Sequence, residues 1–146
     1  METKYYEVPE SKGLALTFTI TVGLFSGYEE GKTFEPVDVG EAAHGWMRER
    51  IGAGLPILTG SFTRAEVFYA YQRESGIECR NEPVLKFSGE VVPLYNSSLK
   101  DEVVVEMLND LAAVLGASTG QTRVYVRYRD WTWILQKEGE KTPREE

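Results

Sequence analysis

Residues 121–136 read QTRVYVRYRDWTWILQ, and how far a single strand runs through them decides the fold. Val124 and Val126 alternate with Arg123, Tyr125, Arg127 and Arg129, the period of two that marks a strand with one dry face and one wet face. The reading adopted is one strand from about Gln121 to Leu135, with the even residues beneath a helical layer and the odd ones pointing away. Trp131, Trp133 and Leu135 then continue the outward parity, and they are too apolar to be left wet. Either the chain kinks at Asp130 and turns these rings into its own core, or they form an interface; the expectation is an interface.

Working back from this strand, the same logic recovers the rest. Leu14–Leu24 alternates Leu, Phe, Ile and Val with three threonines and reads as the first strand. Asp38 and Glu41 have capping-box spacing before a helix carrying Val39, Ala43, Trp46, Met47 and Ile51. Strands follow at about Ser61–Gln72 and Val84–Leu94, the latter with a bulge at Gly89. Asn96 to Ser98 caps a second helix, whose stripe runs Val104, Met107, Leu108, Leu111, Val114, Leu115. The order β-α-β-β-α-β resembles the ferredoxin-like plait, an α+β fold with a four-stranded antiparallel sheet, order 4-1-3-2, and two helices on one face. A faint repeat agrees: L-x-F-[ST]-x-x-V begins at Leu16 and Leu85, and T-R-x-x-V-x-Y at Thr63 and Thr122. Residues 1–13 read as an arm, 14–136 as the domain, and 137–146 as a disordered polar tail.

Composition narrows the function. A chain of 146 residues with 42% hydrophobic content suits one soluble domain. No run reaches the roughly 18 apolar residues of a membrane span, no secretory signal is visible, and Cys79 stands alone, so a cytoplasmic protein is expected. A formal net charge of −7 argues against nucleic acid, and VLKFSGEVVPLY lacks the RNA-recognition signature. Gly31-Lys32-Thr33 is not a phosphate loop, because Ser26 occupies the position that needs glycine, Glu29 and Glu30 would face the phosphates, and Pro36 opposes a helix through Glu35. The single histidine, His44, has no companion at metal-ligand spacing, and the acidic loop lacks the EF-hand rhythm; no metal and no cofactor are implied.

What remains is the face opposite the helices. Parity assigns to it Thr17, Thr19 and Thr21 with Arg64, Lys86, Arg123, Arg127 and Arg129, against Glu66 and Glu90. Arg64, Lys86, Arg123, Tyr125 and Arg127 are the candidate ligand-binding residues, with arginine giving two-pronged anion recognition and Tyr125 or Phe68 a stacking platform. The function expected is non-catalytic binding of a small anion or a protein partner by a homo-oligomer, with Trp131, Trp133 and Leu135 at the interface. Two alternatives stand beside it. One is a small enzyme with a pocket between sheet and helices, using His44, Glu66, Tyr125 and Arg127; the other is a purely structural assembly subunit.

Overall fold

The computed structural model describes residues 3–26, 31–96 and 98–139. The elements in order are β1 (Leu16–Gly23), β2 (Phe25–Ser26), β3 (Lys32–Thr33), α1 (Pro36–Gly52), β4 (Ser61–Arg73), β5 (Gly76–Val91), α2 (Pro93–Asn96), α3 (Asp101–Ser118), β6 (Arg123–Tyr128) and β7 (Trp131–Gln136). The class is α+β. The main sheet has five strands, ordered β4-β5-β1-β6-β7, and every neighbouring pair is antiparallel. Its first four strands lie in the expected order, but the expected count of four is corrected by β7.

The correction lies in the opening stretch. Arg129 takes a left-handed backbone, φ 55°, and the chain reverses through Arg129 and Asp130 into a hairpin. An L-residue pays roughly 1–2 kcal/mol for that conformation. Three contacts offset it: the Arg129 amide donates to Thr17 O at 3.0 Å, its guanidinium pairs with Asp101 at 2.6 Å, and it lies 5.7 Å from the Trp131 ring.

The core is the helix-facing side of the sheet with α1 and α3 upon it. Phe18, Ile20 and Val22 of β1, Val124, Val126 and Tyr128 of β6, and Leu85 and Phe87 of β5 are buried there. Val104, Met107, Leu108, Leu111 and Leu115 supply α3, as their helical spacing requires. Val39, Ala43 and Trp46 supply α1, and Trp46 Nε1 donates to Asp110 of α3 at 2.9 Å. Neither long helix uses the expected side-chain cap: α1 starts at Pro36 behind an extended Glu35, and α3 starts behind Lys100. Pro is tolerated at a first helical position because no partner is needed for its missing N–H. Gly89 is no bulge but sits in register opposite Phe18, where a side chain would strike Thr59 O and the Phe18 ring. Gly31, Lys32 and Thr33 lead into the small β2–β3 hairpin, with Lys32 Nζ 5.0 Å from the Phe34 ring; residues 27–30 lie outside the described residues, as does the expected tail from 140 onward. Among the described residues no helix is long and apolar enough to cross a membrane.

Candidate functional site

The helix-free face of the sheet is set by register. Residues directly opposite in an antiparallel pair share a face. Lys86, Thr21, Tyr125 and Ile134 therefore form one row across four strands, and Ser88, Thr19, Arg127 and Thr132 form the next. Lys86 and Tyr125 are two strands apart, roughly 10 Å at the usual strand spacing. Thr19 and Ser88 hydroxyls are joined at 3.0 Å, Arg123 Nε donates to Gln136 Oε1 at 3.0 Å, and Tyr125 is 50% exposed. Lys86 and Arg127 stand exposed on either side of this hydroxyl floor. The arrangement offers a carboxylate or phosphate two cations and an aromatic plane.

Three candidate residues are not where parity placed them. Arg64 opposes Leu85, so Arg64, and with it Glu66 and Phe68, belongs to the helix side of the sheet rather than the open face. Trp131, Trp133 and Leu135 oppose Tyr128, Val126 and Val124 and are likewise on the helix side. Trp133 and Leu135 pack on the core, and Trp133 Nε1 donates to Asn109 of α3 at 2.7 Å. The hairpin at Arg129 reverses the strand and so exchanges the parity of everything after it. Arg129 itself is held by Asp101 and adds no charge to the open face.

The second polar region is the long β4–β5 hairpin, whose outer part, residues 66–83, extends beyond the β1 partner of β5. Tyr69 donates to Glu82 Oε1 at 2.8 Å, and that bond raises the Tyr69 pKa. Asn81 donates to Glu66 Oε2 at 3.0 Å on the opposite face. Nearer the tip, Arg73 Nε lies 2.7 Å from Glu78 Oε2, an ion pair whose angle falls short of a hydrogen bond. The Tyr71 hydroxyl, then the Arg80 guanidinium, hold the Glu78 carboxyl below its ordinary range. An open cavity of about 410 Å³ borders this region, lined by Phe25 and residues 79–83.

A pocket between sheet and helix also exists, about 370 Å³, at the C-terminal end of α3. Ala113, Gly116, Ala117, Val124 and Leu135 make it apolar, and Lys137 and Glu138 are its charged lining. Gly116 is needed beside it, since a Cβ there would lie 2.6 Å from Val124 Cγ2. The acid–base set considered from sequence does not converge within one chain. His44 is exposed on α1, Glu66 lies on the helix side of the arm, and only Tyr125 and Arg127 share a surface. Sequence reasoning also missed the cluster in which Tyr128 Oη donates to Asp101 Oδ1 at 2.8 Å. Burial, then this bond, push the Tyr128 pKa up to about 12. Asp101 was read only as a helix-opening residue, and nothing in its spacing marks a partner in another element.

No protein-family model matches the chain, and no curated protein sequence does either. Solved structures do match. A phage SAM lyase in complex with S-methyl-5'-thioadenosine superposes with a TM-score of 0.62 at 16% identity, covering 95% of this chain and 100% of the lyase. The apo state of a phage SAM lyase gives 0.61 at 17% identity, covering 94% and 100%. The shared fold is that of an enzyme. A third structure, CutA from Synechococcus elongatus, overlaps only slightly, with a TM-score of 0.34 at 13% identity over 84% of this chain and 77% of that one. The expectation of a non-catalytic binding domain is corrected by the lyase structures, which favour the enzyme alternative.

Proposed function

We propose that this chain is an enzyme that cleaves S-adenosylmethionine, releasing S-methyl-5'-thioadenosine. The observation that carries the reading is the end-to-end correspondence with a phage SAM lyase, 95% of one chain on 100% of the other. The bond that breaks joins the sulfonium sulfur to the aminocarboxypropyl carbon, and its electron pair stays with sulfur as a neutral thioether. Positive charge therefore disappears from sulfur during the reaction, so a dry site speeds it by disfavouring the charged ground state relative to the transition state.

The residues of the open face suit such a substrate. Arg127 and Lys86 take its carboxylate, Arg127 by a paired, planar contact. Half-exposed Tyr125 offers a ring face to the adenine or the sulfonium. The net charge of −7 draws a cationic substrate toward the protein. On this reading the four strands β4, β5, β1 and β6 with α1 and α3 are a ferredoxin-like plait to which β7 is appended, and the enzyme works as a homo-oligomer.

The test is incubation of the purified chain with S-adenosylmethionine, with chromatographic detection of S-methyl-5'-thioadenosine against a protein-free blank, because the substrate also decays unaided. Product above the blank is expected, falling at least tenfold in Arg127→Ala with the circular-dichroism spectrum unchanged. Product no faster than the blank sinks the proposal.

A further inference from the structure

We propose that the two outer edges of the main sheet bind one another between copies of this chain, β7 of one copy adding to the outer edge of β4 in the next. In an antiparallel ladder every second residue directs its N–H and C=O away from its partner strand. β4 and β7 end the sheet on its two sides, and among the described residues no other strand takes up their outward backbone groups. Edges left free in stable monomers are normally guarded by charge, proline or a bulge.

Here both edges carry an unguarded window of the same length. Trp131–Gln136 reads WTWILQ and residues 67–72 read VFYAYQ, each six residues without a charge or a proline. Charge begins immediately outside each window, at Asp130 and Lys137 for one and at Glu66 and Arg73 for the other. The windows are also apolar where they are bare: Ile134 is 53% and Trp131 49% exposed, and Phe68 is 77% exposed.

Pairing β7 with another β7 would cover one window and leave Phe68 in water. Joining β7 to β4 covers both in a single contact and continues each face of the sheet into the next copy. Such a head-to-tail contact is heterologous, so it propagates until the rotation closes a ring. The contact does not depend on the chemistry proposed above.

Its geometry gives a test on the full chain. Ile134→Lys blocks the β7 edge and Phe68→Lys blocks the β4 edge, and both positions are exposed enough for the fold to survive, which the melting curve checks. Light scattering of the native chain should give a multiple of 16.5 kDa. Each variant alone should fall to the single-chain mass. An equal mixture should recover twice that mass and stop there, because the mixture holds one intact edge of each kind per pair. A native chain that stays monomeric overturns the proposal, as does a Phe68→Lys variant that still assembles while Ile134→Lys does not, the signature of β7 pairing with itself. A mixture that stays at the single-chain mass also overturns it. If either variant fails to fold, Thr132→Lys and Val67→Lys repeat the experiment at neighbouring exposed positions.

Discussion

The helix-covered half of the sheet and the β4–β5 arm are made of the same antiparallel ladder, yet they are held together differently. In the covered half, Ile20, Val126 and Tyr128 are at most 1% exposed, and burial is the dominant stabilising term. In the arm, Phe68 and Ile77 are 77% and 73% exposed, and cross-strand polar pairs such as Tyr69–Glu82 and Arg73–Glu78 take the place of a core. Exposed pairs of this sort contribute on the order of 0–1 kcal/mol each. A strand can thus be long because its neighbour holds it, without contributing much to the stability of the domain. Apolar side chains on such a strand are free for other uses.

The comparison can be broken by mutation. Phe18→Ala, in the covered half, should cost about 3–5 kcal/mol in urea unfolding, since the ring is buried and touches Phe87 at 5.9 Å between centroids. A cost below 1 kcal/mol would mean that the two regions do not differ as described. A smaller effect sharpens the same contrast through pH. The Tyr128 pKa is about 12 when folded, against the ordinary value of 10.0. Its contribution is fully present below pH 10 and is lost as the pH rises through 12, amounting to on the order of 2 kcal/mol. Urea midpoints measured upward from pH 8 should fall along this course, and Tyr128→Phe should remove that part of the decline. The smallest change is expected in the arm, where Phe68→Ser, studied as the single chain, should alter stability by no more than about 0.5 kcal/mol.

Where burial is strong, the sequence was transparent. The alternation in LTFTITVG and the spacing of Val104, Met107, Leu108, Leu111 and Leu115 each correspond to one buried face. Where both faces are wet, parity carries no signal. Ala65 and Val67 were read as inward because they matched the repeat at Val124 and Val126, but Phe62 is the residue of β4 that meets the core, with its ring 4.8 Å from Phe87. The turn at Arg129 was hidden for a different reason. Two-residue hairpins usually advertise themselves with Asn-Gly or Asp-Gly, and this one is held in its left-handed conformation by a carboxylate 28 positions away. The same reversal moved three proposed interface residues to the other face. The open-face group Lys86, Arg123, Tyr125 and Arg127 kept its placement because it depended only on strands that flank β1.

That central position of β1 has a kinetic corollary. The β4–β5 and β6–β7 hairpins each close across two residues, so they can form early at little entropic cost. β1 must instead find residues 84–91 on one side and 125–128 on the other, the most distant pairings in the sheet. Its insertion is the slow step of folding, and a chain paused before it exposes two unzipped strand edges flanking an empty slot.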